Sequence, residues 1–263
     1  LLINIGGGVV CDIGGFAAST YMRGISFVNV PTTLLAQTDA AIGGKTGIDF
    51  GGFKNMVGSF AHPLAIICDT LLLSTLPERE FRSGFAEVIK HALVADKKLF
   101  QTLAKENFGA MDEDKLADIL SHSCKIKCAI VSKDSDEKGL RKILNFGHTV
   151  GHAIEMLSQD TNTPLLHGEA ISIGMIAEAR LSLLSGLITK ADFAKVEDII
   201  GKASLPSKIN RSYKNKIYDK MLGDKKNEKR KIKWVLLKGI GKAVIDEEQP
   251  EKLINKSIEY ILA

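Results

Sequence analysis

Cysteine is scarce in this chain and never falls into a CxxC pair. Its four thiols, Cys11, Cys68, Cys124 and Cys128, therefore offer neither a zinc ribbon nor a thioredoxin-like redox motif. Cys124 and Cys128 are spaced i,i+4 on one helical face, and all four are expected to be small buried hydrophobes in a reducing cytosol. No run of about 18 apolar residues is present to cross a membrane. No secretory signal pattern, internal repeat or low-complexity tract is visible either, and a cytoplasmic location is expected. Surplus charge is also lacking. The net charge of +4 is accounted for by one segment, Asp224 to Lys233, with six basic and two acidic residues. A nucleic-acid footprint spreads basic residues more widely, so neither nucleic acid nor membrane is expected as a partner.

Three enzyme motifs are near misses. The glycines after the first apolar run are not a strict GxGxxG. The stretch Gly43-Gly44-Lys45-Thr46 ends like a P-loop, but Asp39 stands where that motif needs its first glycine. His148 and His152 lack the glutamate of a zincin, since Thr149 follows the first histidine.

What is present is the make-up of a globular protein: 263 residues, 45% hydrophobic and 25% charged, enough for one large domain or two modest ones. Leu1–Ile5 is an apolar run that reads as a strand already under way, so a further N-terminal segment is expected in the natural protein. Glycine is concentrated between Gly6 and Gly58. Strand candidates Leu1–Ile5, Ser26–Val30 and Leu64–Cys68, with a helix over Ile13–Met22, give a βαβ rhythm and a parallel layer. Thr75-Leu76-Pro77-Glu78 reads as a helix start with Thr75 as N-cap. Helices follow over 112–133, 146–158, 168–186, 190–203 and 213–222, and late strands over 232–237 and 243–245. The expected organisation is a Rossmann-like α/β domain over 1–76 and a mainly helical domain over 77–263.

Three features carry chemistry. A strand running into Gly6-Gly7-Gly8 and then a helix can seat a pyrophosphate on backbone amides. His148 and His152 share a helical face, His167 opens another helix, and Glu87 lies on a helix with Lys90 and His91 at i+3 and i+4. Three protein ligands and an open position make a catalytic metal site, and spacing alone leaves open which three bind. Lys45 and Lys54 sit on glycine-built loops, where a cation suits an anionic ligand.

Together these motifs resemble one family. Gly6-Gly7-Gly8-Val9-Val10-x-Asp12, Arg23-Gly24, Pro31-Thr32-Thr33-Leu34-Leu35-Ala36 and Gly43-Gly44-Lys45-Thr46-Gly47 follow the order seen in 3-dehydroquinate synthases. So do Lys54-Asn55-x-x-Gly58, Thr75-Leu76-Pro77-x-Arg79-Glu80, Ala86-Glu87-Val88-Ile89-Lys90, the run from Leu144 to Glu155, and His167-Gly168-Glu169-Ala170. The resemblance implies conversion of 3-deoxy-D-arabino-heptulosonate 7-phosphate to 3-dehydroquinate and phosphate, with catalytic NAD and zinc or cobalt, by a cytoplasmic homodimer. It implies metal ligands Glu87, His148 and His167. It implies NAD contacts from Gly8, Val9, Val10, Cys11, Asp12, Thr32, Thr33, Lys45, Lys54, Leu72, Leu73, Ser74 and Thr75. Substrate or catalytic roles fall to Arg23, Asp39, Asn55, Lys90, Lys127, Glu137, Arg141, Asn145, His152 and Lys226, with Lys225 the alternative to Lys226. The rivals are another sugar-phosphate cyclase, whose substrate lacks the carboxylate, an iron-type polyol dehydrogenase, and an NAD-binding module without activity.

Overall fold

A computed structural model describes residues 1–50, 53–159, 161–223, 232–246 and 248–263. In chain order it contains strand β1 (Leu2–Gly6), helix α1 (Gly8–Thr20), β2 (Phe27–Pro31), β3 (Lys45–Phe50), β4 (Phe53–Phe60), β5 (Ala65–Ile66) and α2 (Glu78–Ala95). It continues with α3 (Lys97–Leu103), α4 (Glu113–Val131), α5 (His148–Ser158), α6 (His167–Leu184), α7 (Lys190–Lys202), α8 (Lys214–Gly223), β6 (Trp234–Leu237), β7 (Ala243–Asp246) and α9 (Glu251–Tyr260). A π-helical turn spans Ala36–Ala40, and 3-10 turns include Thr70–Thr75 and Leu140–Asn145. These elements form two compact units, Leu1–Glu87 with Met111–Arg141, and Val88–Ala110 with Lys142–Ala263. The chain thus crosses between units more than once, where a single cut near residue 76 was expected. The reason is α4: Lys127 on it pairs with Asp39 at 2.6 Å and Cys124 donates to the Gln37 carbonyl, so this helix is fastened to the first unit.

The first unit is the expected α/β layer. β1, β2 and β5 form a parallel sheet in the order β1-β2-β5, with Leu2 opposite Phe27 and Gly6 opposite Pro31. Under α1 the two strands share a buried amide pair, Asn4 Nδ2 donating to Asn29 Oδ1 at 2.9 Å. β3 and β4 pair antiparallel, which the sequence reading missed by treating Gly43–Gly47 as one loop. Only Gly43 and Gly44 turn, at φ of 111° and 70°, and Lys45 is already the first residue of a strand. Helix α1 starts at Gly8 rather than Ile13, because the glycines themselves enter the first turn. Thr75 does not cap α2. It ends the Thr70–Thr75 turn, which Asp69 caps by accepting from Leu71 N–H at 2.9 Å. Pro77 holds Leu76 extended, so helical geometry begins only at Glu78.

The second unit is mainly helical. α6 is apolar all round, with Ile171, Ile173, Met175, Ile176 and Leu181 fully buried. It packs against α5, α7, α9 and β6. Each such side chain contributes roughly 1.5–3 kcal/mol of burial, which makes α6 the spine of this unit. β6 and β7 pair antiparallel and bury Trp234. α3 and α9 were not anticipated. Among the described residues no helix is long and apolar enough to cross a membrane.

Candidate active site

In the first unit, three expected cofactor segments follow the C-terminal ends of the three parallel strands. That edge is where open α/β sheets bind ligands. After β1, Gly7 is the N-cap of α1 and supplies no side chain, so the first amides of the helix remain for an anion. After β2, Thr32 N–H donates to the Gly6 carbonyl at 2.9 Å, and Thr33 stands so close that a Cβ on Gly7 would lie 3.1 Å from its methyl group. After β5 comes the Thr70–Thr75 turn, in which Leu73 is buried and Ser74 and Thr75 are exposed. The absence of side-chain bulk at Gly7 and Gly8 fits a dinucleotide pyrophosphate. Val9 and Val10 are exposed, and burial pushes the Cys11 thiol up to about 11, which leaves it an inert wall. Asp12 rises to about 6 through burial first, then the charges of Asp39 and Asp49, with Lys127 opposing.

The same unit brings expected substrate residues together. Lys127 is buried on α4 and donates to the Asp39 carboxylate at 2.6 Å and to its carbonyl. Asp39 lies in the π-helical turn, an irregularity common at functional sites. Lys45 is ion-paired with Glu137. Glu137 in turn lies 3.9 Å from Arg141, whose guanidinium is buried. Arg141 Nη1 donates to the Gly43 carbonyl at 2.9 Å and the Ser135 carbonyl at 2.6 Å, which holds the Gly43 turn. Gly43 is required twice over, by its φ of 111° and because a Cβ there would lie 2.4 Å from Arg141 Nη2. Arg23 is not gathered with this set. It is exposed beyond the C-terminus of α1, about 20 Å from the glycine turn by helix rise. The expectation of four buried cysteines is also corrected. Cys11 is buried and Cys124 half-buried, whereas Cys68 and Cys128 are exposed. The side chains of Lys54 and Asn55, and Lys225 and Lys226 entirely, lie outside the described residues.

In the second unit three imidazoles converge. The rings of His148 and His152, one helical turn apart on α5, are 4.9 Å apart by centroid. His167, the first residue of α6, is 5.5 Å from His148 and 6.0 Å from His152. His148 Nδ1 faces the Phe146 carbonyl at 3.2 Å, and His167 Nδ1 faces the buried Glu155 carboxylate at 3.3 Å. α2 carries Glu87 one residue before Val88, where the second unit begins. Within the second unit His148 and His167 form an imidazole pair of the kind that holds a divalent metal. His152, Glu155 and His167 offer ligand atoms all within 4.8 Å of one another, and His152 is the exposed member. Lys90 is buried on α2 and Asn145 half-buried at the end of its 3-10 turn.

Two carboxylates at this site were overlooked from the sequence. Glu155 belonged to a quoted motif without a role, although at i+7 from His148 it faces the same way. Glu178 is fully buried on α6 and accepts from Gly147 N–H at 2.7 Å and Val150 N–H at 3.3 Å, on either side of His148. Burial pushes its carboxyl up to about 8 against those amides and that of Thr149. The only hint in the sequence is a lone acid inside the apolar run Ile171–Ala179.

Comparison with known proteins agrees on one family. The N-terminal domain profile of 3-dehydroquinate synthase matches residues 1–83 and its C-terminal profile residues 84–227. The 3-dehydroquinate synthase of Thermoanaerobacter pseudethanolicus is 43% identical over 255 residues, covering 96% of this chain and 71% of that protein. That of Thermodesulfovibrio yellowstonii is 47% identical over 250 residues, covering 94% and 69%. Among solved structures, 2-epi-5-epi-valiolone synthase from Streptomyces hygroscopicus with bound NAD+ and Zn2+ superposes with a TM-score of 0.88 at 30% identity, covering 98% of this chain and 72% of that one. A 2-deoxy-scyllo-inosose synthase complexed with carbaglucose-6-phosphate, NAD+ and Co2+ gives 0.85 at 28%, covering 99% and 74%. A probable glycerol dehydrogenase from Sinorhizobium meliloti, at 15% identity and a TM-score of 0.59, shares the fold alone. Identity is thus higher to the dehydroquinate enzymes than to the other cyclases, and the chain belongs to the 3-dehydroquinate synthase family.

Proposed function

We propose that Glu87, His148 and His167 hold a divalent metal, zinc or cobalt, and that the segments after β1, β2 and β5, with Lys45 and Lys54, hold NAD. The activity is conversion of 3-deoxy-D-arabino-heptulosonate 7-phosphate to 3-dehydroquinate and phosphate, a step of the shikimate pathway. The observation that carries the residue assignment is the approach of the His148 and His167 rings, at 5.5 Å, and Glu87 is joined to them by the resemblance.

When bound, NAD supplies a hydride acceptor that later returns the hydride, and the metal polarises the oxygen at the oxidised carbon. The chain's residues then have three tasks. Lys90, Lys127 and Arg141 offer positive charge for the substrate's phosphate and carboxylate, and Arg141 also fixes the Gly43 turn, while Lys226 is given the same task by the resemblance alone. Asp39 holds the Lys127 ammonium at 2.6 Å, so the cation is aimed before substrate arrives. Asn55 and Asn145 supply uncharged donors and acceptors for hydroxyls. His152 or Glu137 moves protons at the carbon losing its hydrogen and at the departing phosphate. The resemblance further implies a homodimer in the cytoplasm working without nucleic acid or membrane, which sedimentation of the purified protein checks.

Phosphate release from the heptulosonate phosphate, with catalytic NAD and zinc, tests the reading. Release that stops with a chelator and accumulates no NADH supports it. Turnover of a neutral sugar phosphate instead would move the chain to another cyclase reaction. A Glu87→Ala protein that still retained stoichiometric zinc would sink the ligand assignment.

A further inference from the structure

We infer that Glu155 is a positioning residue for the metal site: its buried carboxylate fixes the ring of His167 and the tautomer that His167 presents. The inference rests on the reading of Glu87, His148 and His167 as metal ligands. Glu155 lies on α5 two turns after His148, and its side chain is 6% exposed. Its Oε2 is 3.3 Å from His167 Nδ1, on the first residue of the next helix. A carboxylate accepts and does not donate. The Nδ1 it faces therefore carries the hydrogen, and Nε2 is left with the lone pair that a metal needs.

His148 arrives at the same tautomer by a different route. Its Nδ1 is 3.2 Å from the Phe146 carbonyl, two residues earlier in the chain. That acceptor is local and comes with the turn into α5. His167 opens α6, and its Nδ1 instead meets an acceptor twelve positions away. The same contact ties the start of α6 to the helix that bears His148. A carboxylate behind a ligating imidazole also raises its basicity, and loss of such a partner typically weakens metal binding about 10–100-fold.

The competing role for Glu155 is as a ligand itself, with His152 and His167, since those three lie within 4.8 Å. Tautomer logic separates the two. A positioning carboxylate is replaceable by a neutral acceptor at reduced strength, whereas a ligand is not.

The test uses the full-length protein, stripped and reloaded. Zinc affinity is measured by competition with a chromophoric chelator, and the cobalt-loaded protein is examined by its visible absorption. Glu155→Ala should bind zinc about 10–100-fold more weakly. Glu155→Gln should fall between it and the wild type and keep the cobalt band positions. Melting of the metal-free variants reports folding separately, and Glu155→Gln keeps the side chain's shape if the alanine variant fails to fold. Wild-type zinc affinity in Glu155→Gln and Glu155→Ala, with metal lost in Glu87→Ala, overturns the inference while leaving the ligand assignment standing. Complete metal loss in Glu155→Gln, with changed cobalt bands, would make Glu155 a ligand and overturn it as well. Retention of metal by Glu87→Ala would instead refute the underlying reading.

Discussion

Gly174→Ala isolates the close approach of α5 and α6. In an open helix this change stabilises a protein by roughly 0.5–1 kcal/mol, because glycine loses more backbone freedom on folding. Here a Cβ on Gly174 would lie 2.0 Å from the Gly147 carbonyl oxygen and 2.7 Å from the Gly151 nitrogen. Real Cβ contacts do not fall below 3.0 Å, so the helices must part locally by about 1.0 Å, from 3.0 minus 2.0. Both obstructing atoms are backbone, and no rotamer change relieves them. Overpacking of this kind costs about 1–3 kcal/mol, and the upper end applies when backbone meets backbone. Subtracting the propensity gain leaves a net loss of about 2 kcal/mol, a fall of roughly 4–8 °C in the melting temperature. The moved carbonyl belongs to Gly147, beside His148, so zinc affinity should drop by about tenfold or more. Calorimetry of the metal-free protein and chelator competition measure the two effects separately. A variant that melts higher than wild type, as propensity alone demands, and binds zinc normally would refute the steric argument.

Other outcomes follow from the same structure. Glu178 has a folded-state pKa near 8, above its ordinary 4.5, so its contribution to stability is full below about 4.5 and is lost as pH rises through about 8. Glu178→Gln should flatten the fall in metal-free melting temperature between pH 5 and pH 8, and an unchanged slope would show that another group causes it. Lys127→Met strands the partly buried Asp39 carboxylate and should cost about 2–3 kcal/mol in urea unfolding, with Asp39→Asn on top recovering most of it. Additive losses would show that the pair is not coupled. Gly43→Ala, at φ 111° and 2.4 Å from Arg141 Nη2, should lose about 2 kcal/mol of stability and raise KM for the substrate more than it lowers kcat.

Much of the fold was legible because its signals are local. The strand–glycine–helix start, the helices over 113–131 and 190–202, and the His148–His152 face all follow from spacings of a few residues. The β3–β4 hairpin was hidden because glycine is a poor strand former, and its pairing of Lys45 with Phe60 is non-local. Contacts across long separations were beyond reach for the same reason: Lys127 with Asp39, Arg141 with the Gly43 turn, Glu178 with Gly147. The site's residues could be named by resemblance. Their partners had to be read from the fold, and Arg141 shows the difference: resemblance names it, but its hold on the Gly43 and Ser135 carbonyls is visible only in the structure.

The histidine-bearing helices are held by two carboxylates facing opposite ways. Glu178 on α6 fastens the amides around His148 on α5, and Glu155 on α5 fastens His167 on α6. Neither arrangement is what stability alone would select, since a buried carboxylate is desolvated and Glu178 has its pKa raised for that reason. An apolar side chain at 178 would remove that penalty, but the amides of Gly147 and Val150 would then lose their acceptor at a helix start whose N-cap is a glycine with no side chain. Glu178 thus sets the backbone on both sides of His148, the proposed ligand. Buried acids inside an otherwise apolar helix, next to small residues that let another helix approach, are therefore the places in this unit where the geometry of the proposed metal site is set at the expense of stability.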